Sequence, residues 1–344
     1  MKSNTRSISQ ALLVFVFAVL AVSSVMAQAI PDSAPISDQK AGSVLIFNYY
    51  GSNAANPNGE DTEIHITNTN PQKAGTMALL FIDGKSGAVA DNQVCLAPNQ
   101  TVNFRMSNAD PDIKGYIIAV SVDASTGLPN YFNQFIGSAS SLLASGHTAS
   151  LNAEAISALM QSPASSSSEQ GATLKFDEVH YNKVPGMLAL DNLPAIADGN
   201  QTMVLVNQIG GSLPGNRKMD NLGGLTGIVY DAAAKPYAWQ VGNINTPQFQ
   251  KVITADFPLT TPLINVVIPA QSSGWMRLWP TSRSQGVTGA VLFFDKSDAP
   301  GLGRCGACIR PLAAAGNGRG LSRNLHHQLL TTAELTIPVY PRKC

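Results

Sequence analysis

Apolar and polar residues alternate in short runs along most of the chain, and this pattern predicts β-strands. The alternation is clearest at residues 62–67, where Ile64 and Ile66 are interleaved with Glu63 and His65. Such a strand places apolar side chains on one buried face and polar ones on the other. The same reading predicts strands at 43–47, 62–67, 78–82, 101–106, 116–122, 202–206, 227–230, 264–268, 275–279, 290–294 and 335–339.

One segment has a helical composition. Residues 150–160 are rich in alanine, and Ser150 can cap a helix there. Residues 161–170 contain a proline and a serine run that are typical of an exposed linker. The predicted fold is therefore mainly β, with two antiparallel β-sandwich halves joined by a short helix and a Ser-rich connection. The predicted division is a signal peptide at 1–28, a β-sandwich domain at 29–148, the helix and linker at 149–172, and a second β-sandwich domain at 173–344.

The two halves contain similar strings in the same order, which suggests an internal duplication. The pairs are 60–70 with 200–210, 79–84 with 227–232, 96–106 with 268–278, and 114–123 with 288–295. The offset between the partners grows along the chain, and loop insertions would absorb this drift. Because the identities are few, duplication and convergent strand chemistry both stay open.

A loop of the form LAPNQT at 96–101, then a strand, then a further strand opened by Gly115 and Tyr116, resembles secreted bacterial immunoglobulin-like modules. The run from Gly115 to Leu190 is also similar to uncharacterised exported proteins of environmental bacteria. The resemblance implies an immunoglobulin-like sandwich architecture. It supplies no catalytic motif, and a fold does not by itself define a function.

The N-terminus has the features of a secretory signal. Lys2 and Arg6 precede an apolar run at 11–22, and Val25 and Ala27 supply small residues for cleavage. The apolar run is shorter than the roughly 20 residues that a membrane-spanning helix needs. We expect a secreted, periplasmic or cell-surface protein without a stable membrane span after signal cleavage.

The charge balance excludes some partners. The chain has 22 basic and 22 acidic residues, and only 13% of its residues are charged. No basic field is present that would attract nucleic acid. The sequence predicts no nucleic-acid partner; surface polysaccharide or other surface proteins are the expected partners.

Four cysteines follow the signal region, namely Cys95, Cys305, Cys308 and Cys344. In an exported protein an even number of cysteines indicates disulfides, and four allow three connectivities. We favour Cys305–Cys308 and Cys95–Cys344. A redox dithiol or a zinc site with His326 or His327 is the alternative, which the exported compartment disfavours. No metal and no cofactor are predicted.

The strand at 275–279 is the candidate ligand-binding site, with Trp275, Arg277 and Trp279 on one face. If the opposite face, with Met276 and Leu278, is buried, the two indole rings and the guanidinium form a surface suited to sugars or peptides. A slip of one residue would reverse the faces. Core or inter-domain packing is the competing interpretation, because large aromatic residues are usually highly buried.

The remaining candidates are weaker. Oxygen-rich loops at 56–61 and 108–112 have the composition of calcium ligands, but Asx turns explain them more simply. Asp177, Glu178 and His180 form a compact polar cluster that we assign to the end of a strand. No H-E-x-x-H or G-x-S-x-G motif is present in the sequence.

The leading hypothesis is an exported, non-catalytic protein of structural or adhesion type at or near the cell surface. A carbohydrate- or ligand-binding module that uses Trp275, Arg277 and Trp279 is the first alternative. A secreted hydrolase on a β scaffold is the second, and it predicts a histidine beside an acidic residue in a concave pocket.

Overall fold

The structure, a computed structural model, describes residues 36–167, 171–214, 217–282, 285–294, 307–311, 313–314 and 330–339. Across these residues the chain is mainly β, as predicted, and its two α-helices have four residues each. No described helix combines the length and the apolar character needed to cross a membrane. The predicted signal peptide lies outside the described residues, so it stays a prediction.

The first part of the chain forms nine strands and one short helix. They are β1 (Val44–Gly51), β2 (Asp61–Asn68), β3 (Gly75–Asp83), β4 (Val89–Leu96), β5 (Thr101–Arg105), α1 (Met106–Ala109), β6 (Lys114–Val122), β7 (Phe135–Leu142), β8 (Thr148–Asn152) and β9 (Glu154–Ile156).

The rest of the described chain forms fifteen strands, a short helix and a 3-10 turn (Ile196–Asp198). They are β10 (Ala164–Ser167), β11 (Gly171–Phe176), β12 (Val184–Pro185), β13 (Leu188–Pro194), β14 (Gln201–Ile209), β15 (Gly211–Ser212), β16 (Gly223–Tyr230), β17 (Pro236–Ile244), β18 (Gln248–Val252), α2 (Ile264–Val267), β19 (Ser273–Pro280), β20 (Gly286–Phe294), β21 (Ala307–Pro311), β22 (Ala313–Ala314), β23 (Leu330–Thr331) and β24 (Ala333–Pro338).

Two sheets form the first sandwich. Sheet 1 has the order β4-β3-β6-β1-β9, and sheet 2 has the order β5-β2-β7-β8. The alternation predicted for β2 is confirmed, because Ile64 and Ile66 are fully buried while the alternate residues Glu63, His65 and Thr67 are partly exposed. These isoleucines pack with Phe47 and Phe81 of sheet 1 in one apolar core.

Two further sheets form the second sandwich. Sheet 4 has the order β17-β16-β19-β13-β22, and sheet 5 has the order β18-β14-β20-β21. Val204 and Val206 of β14 and Met276 and Leu278 of β19 belong to the apolar core of this half. Each half is thus built mainly of antiparallel strands, which fits the predicted fold class.

The strand order of the two sandwiches is the same. Sheet 4 repeats sheet 1 if β13, β16, β17, β19 and β22 replace β1, β3, β4, β6 and β9. Sheet 5 likewise repeats sheet 2, with β14, β18, β20 and β21 for β2, β5, β7 and β8. The short helices α1 and α2 both lie between the fifth and sixth of these strands. The topology therefore supports an internal duplication.

Two of the four predicted pairings fit this correspondence, and two are wrong. The pairs 60–70 with 200–210 and 79–84 with 227–232 match β2 with β14 and β3 with β16. The other two matched β5 with β19 and β6 with β20, whose counterparts are β6 and β7. The segment between β18 and β19 (253–272) is much longer than that between β5 and β6 (106–113). Because of this insertion, the sequence match aligned β5 and β6 each with the strand after its true counterpart.

Sheet 3 has the order β10-β11-β24-β15 and covers the outer face of sheet 1. Ile118 and Tyr116 of β6 pack in one cluster with Leu174 of β11 and Leu335 of β24. The central strands β1 and β6 of sheet 1 are therefore buried on both faces. This explains why these two strands have continuous apolar runs where a half-exposed strand would alternate.

The helix predicted at 150–160 is wrong. Residues 148–152 form β8, in which Ala149 and Leu151 are buried between exposed neighbours, and residues 154–156 form β9 beside β1. Pairing with existing strands overrides the weak helical preference of alanine here.

Part of the predicted Ser-rich linker is also a strand, because β10 pairs with β11. The run at 264–268, predicted as a strand, is instead helix α2. The domain boundaries stay a prediction.

A chain of buried amides connects the two sandwiches through the Asn207–Asn48 hydrogen bond and ends at the carboxyl group of Glu154. Asn48 donates from Nδ2 to Oε1 of Glu154 at 2.6 Å, and Asn207 donates to Oδ1 of Asn48 at 3.0 Å. Gln248 donates from Nε2 to Oδ1 of Asn207 at 2.8 Å. Burial raises the pKa of Glu154 to about 8, the Asn48 hydrogen bond opposes this, and the charge of Asp38 adds to it.

Candidate functional site

The outer face of sheet 4 carries the predicted site. Met276 and Leu278 are fully buried in the core of the second sandwich. Trp275, Arg277 and Trp279 therefore lie on the opposite face, where each is half-buried. Of the competing expectation, the part that places these two tryptophans in the core is wrong, and packing between domains stays a prediction. Their role in ligand binding stays a prediction.

The neighbouring strand completes this face with an aromatic residue that the sequence analysis missed. Tyr230 of β16 pairs with Trp275 across the sheet, and their rings stack with centroids 3.6 Å apart and planes 4° from parallel. The guanidinium carbon of Arg277 lies 4.9 Å from the Trp275 ring centroid. We name Tyr230, Trp275, Arg277 and Trp279 the aromatic face. The alternation of β16 could have identified Tyr230, because it shares a side with the half-buried Ile228.

Arg277 is the charged member of the aromatic face. Its contacts are cation–π interactions with Trp275 and, at 6.0 Å, with Tyr230. None of the ion pairs found in the described part of the chain includes Arg277. The cation–π attraction of these rings holds the guanidinium beside Trp275.

The equivalent positions in the first sandwich have a different chemistry. Tyr116 pairs with Ile82 as Trp275 pairs with Tyr230, and Ile118 pairs with Leu80 as Arg277 pairs with Ile228. Tyr116, Ile118 and Val120 are all fully buried beneath sheet 3. The same face of the repeat is thus apolar and covered in one half, and aromatic, charged and half-exposed in the other.

The hydrolase hypothesis predicts a histidine beside an acidic residue in a concave pocket, and His180 does lie beside Asp177. Nδ1 of His180 is 2.8 Å from Oδ2 of Asp177, and Oδ1 accepts the backbone N–H groups of Val179 and His180. Burial opposes ionisation of Asp177, but these hydrogen bonds outweigh it and lower its pKa. The carboxylate closes a turn, and neither residue lines any of four cavities characterised among the described residues.

The two oxygen-rich loops lie together, and their carboxylates hold protein donors. Oδ1 of Asp112 accepts the N–H of Ala54 at 2.8 Å, and Asp61 accepts the N–H and the hydroxyl of Ser107. The Tyr50 hydroxyl donates to Asp110. These contacts fit the turn interpretation. Over the described residues, no group of three or more His, Cys, Asp or Glu side chains is arranged to hold a metal ion.

Cys95 lies in β4 and is disulfide-bonded. The side chains of Cys305, Cys308 and Cys344 lie outside the described part of the protein, as do His326 and His327. The pairs Cys95–Cys344 and Cys305–Cys308 stay predictions.

Comparison with known proteins identifies no family. No family model matches the chain, and no curated protein matches it. Similar solved structures include a candidate β-galactosidase of Bacteroides fragilis, with 10% identity and a TM-score of 0.14, where the match covers 80% of this chain and 34% of that one. A β-glucuronidase of glycoside hydrolase family 2 has 9% identity and a TM-score of 0.15, with 80% and 24% covered. At these TM-scores the similarity assigns neither a family nor an activity.

Proposed function

We propose that this protein is an exported, non-catalytic binding protein of adhesion type, and that it binds acidic polysaccharide on the aromatic face. The observation that carries the proposal is the contrast between the two repeats. Where the first repeat has buried Tyr116, Ile118 and Val120, the second has half-exposed Trp275, Arg277 and Trp279. If another part of the protein covered this face of the second repeat, we would expect apolar residues there, as in the first repeat.

The chemistry of the face fits a sugar chain. Flat aromatic rings stack against the apolar faces of sugar rings, and Trp gives the largest such surface. The strand spaces Trp275 and Trp279 four residues apart on one side, with Arg277 between them. A guanidinium forms paired hydrogen bonds with a carboxylate, so Arg277 favours a uronic acid over a neutral sugar.

The export and cell-surface parts of the proposal are supported by the basic, apolar and small-residue pattern of residues 1–28. A binding protein of this kind acts by holding a polymer, and it needs no catalytic group. Panels of glycosides, esters and peptides would test this part: turnover of any of them by the purified mature protein would contradict it.

The binding test is a fluorescence titration of the mature protein with polygalacturonate and, for comparison, with neutral dextran. Two of the three tryptophans of the chain lie on the aromatic face, so binding is expected to change the emission. We expect Trp279→Ala to weaken polygalacturonate binding by about tenfold or more. Arg277→Gln is expected to remove the preference for the acidic polymer.

Tyr131→Ala is the matched control, because Tyr131 is an exposed aromatic residue outside the aromatic face. It should bind as the wild type does. Equal affinities of the wild type and Trp279→Ala, or equal binding of dextran and polygalacturonate by the wild type, would refute the proposed site or its acidic preference respectively.

A further inference from the structure

A cavity of about 470 Å³ lies where residues of the two sandwiches meet, away from the aromatic face. Its walls include Tyr49, Glu60, Lys114 and His147 of the first sandwich, and Leu292 and Phe294 of the second. The volume is within the range of small-molecule sites in proteins. The walls combine apolar side chains with a few polar groups, which is also typical of such sites.

The charged groups of the cavity neutralise each other. Nζ of Lys114 is 2.5 Å from Oε1 of Glu60, whose side chain is 10% exposed. Burial and then the Glu60 carboxylate raise the pKa of Tyr49, so its phenol stays neutral. A charged ligand would approach a like charge or disrupt this ion pair. A neutral ligand avoids both costs.

His147 provides an unused hydrogen-bonding atom. Its Nδ1 is 2.9 Å from the Ser145 hydroxyl, and its ring packs edge-on against Phe294 with centroids 5.9 Å apart. Nε2 is buried and has no hydrogen-bond partner among the described residues. A buried polar atom without a partner is unfavourable. Because Nε2 has almost no accessible surface, the imidazole must turn toward the cavity before a ligand hydroxyl can satisfy it.

We propose that this cavity is a second ligand site, which takes a neutral, hydroxyl-rich small molecule of about the size of a single sugar ring. One hydroxyl of the ligand bonds Nε2 of His147. Its apolar face packs on the Phe294 side of the cavity, and further hydroxyls bond the Glu60–Lys114 pair. The site shares no residue with the aromatic face, so it does not depend on the proposed function.

The test is calorimetric titration of the mature protein with glucose, galactose, mannose and N-acetylglucosamine, and with glucuronate as the charged counterpart. We expect at least one neutral sugar to bind more tightly than glucuronate in the Arg277→Gln variant, which lacks the proposed carboxylate partner of the aromatic face. His147→Phe keeps the ring contact with Phe294 and removes Nε2, and it is expected to weaken that binding by about tenfold.

His65→Phe is the matched control, because His65 is a histidine of β2 outside the cavity lining. It should leave affinity unchanged. In the wild type, the imidazole nitrogen signal of His147 should shift on titration, a readout that needs no variant. The proposal is overturned if no neutral sugar binds with a dissociation constant below about 10 mM, if the His147 signal stays still, or if His147→Phe binds like the wild type.

Discussion

Replacing Ile118 with arginine is expected to prevent stable folding, whereas replacing Arg277 with isoleucine should change the free energy of unfolding by less than about 1 kcal/mol. The two residues occupy equivalent positions of the repeat. Ile118 is fully buried between sheet 1 and sheet 3, so arginine there would place an unpaired charge in an apolar cluster. Such a change costs at least about 4 kcal/mol, a large part of the stability of an ordinary domain.

Thermal unfolding followed by circular dichroism measures both variants. Ile118→Val is the matched control at the buried site and should cost about 1 kcal/mol. If Ile118→Arg unfolds at the wild-type temperature, sheet 3 does not cover this face. If Arg277→Ile is as destabilising as Ile118→Arg, then Arg277 is a structural residue, and the contrast between the repeats no longer supports a binding role for the aromatic face.

The stability of the protein is expected to fall as the pH rises from about 5 to 8, because of Glu154. The folded state raises the pKa of this carboxyl from 4.5 to about 8, so folding favours its protonated form. Below the unfolded pKa, Glu154 is protonated in both states, and its contribution to the free energy of unfolding is fully present. This contribution falls as the pH rises through the folded pKa of about 8. The loss between pH 5 and pH 8 should be about 3 kcal/mol.

Glu154→Gln keeps the shape of the side chain and an oxygen that can accept the hydrogen bond of Asn48. Urea unfolding of both proteins at pH 5, 6, 7 and 8 gives the comparison. The glutamine variant should be the more stable one at pH 8, and the difference should shrink toward pH 5. Parallel curves would show that Glu154 does not titrate as described. All other groups are common to both proteins and cancel in the difference.

The sequence predicts the strands better than it predicts their arrangement. The alternation around Ile64 and Ile66 and the apolar run through Ile118 are local signals of burial on one face and on two faces. Ala149 and Leu151 have the same alternation, but alanine content disguised it as a helix. The pairing of β8 with β7 that decides the matter is a contact across the fold, and no local pattern encodes it.

The site was predicted only in part for a related reason. Trp275, Arg277 and Trp279 share a face in any strand, but which face is buried depends on the neighbouring sheet. The duplication could have decided this, yet a long insertion before β19 misaligned it. The sequence did not identify Tyr230 and His147 as functional candidates, because the contacts that single them out are with residues distant in sequence, Trp275 and Phe294 respectively.

The most direct test of the central claim is hydroxyl-radical footprinting of the three tryptophans, read by mass spectrometry. Trp239 is 4% exposed in the core and provides the internal reference. Trp275 and Trp279 should be oxidised severalfold faster than Trp239, and polygalacturonate should slow both of them without affecting Trp239. If Trp275 and Trp279 are as protected as Trp239 in the free protein, the aromatic face is covered and cannot be the binding surface.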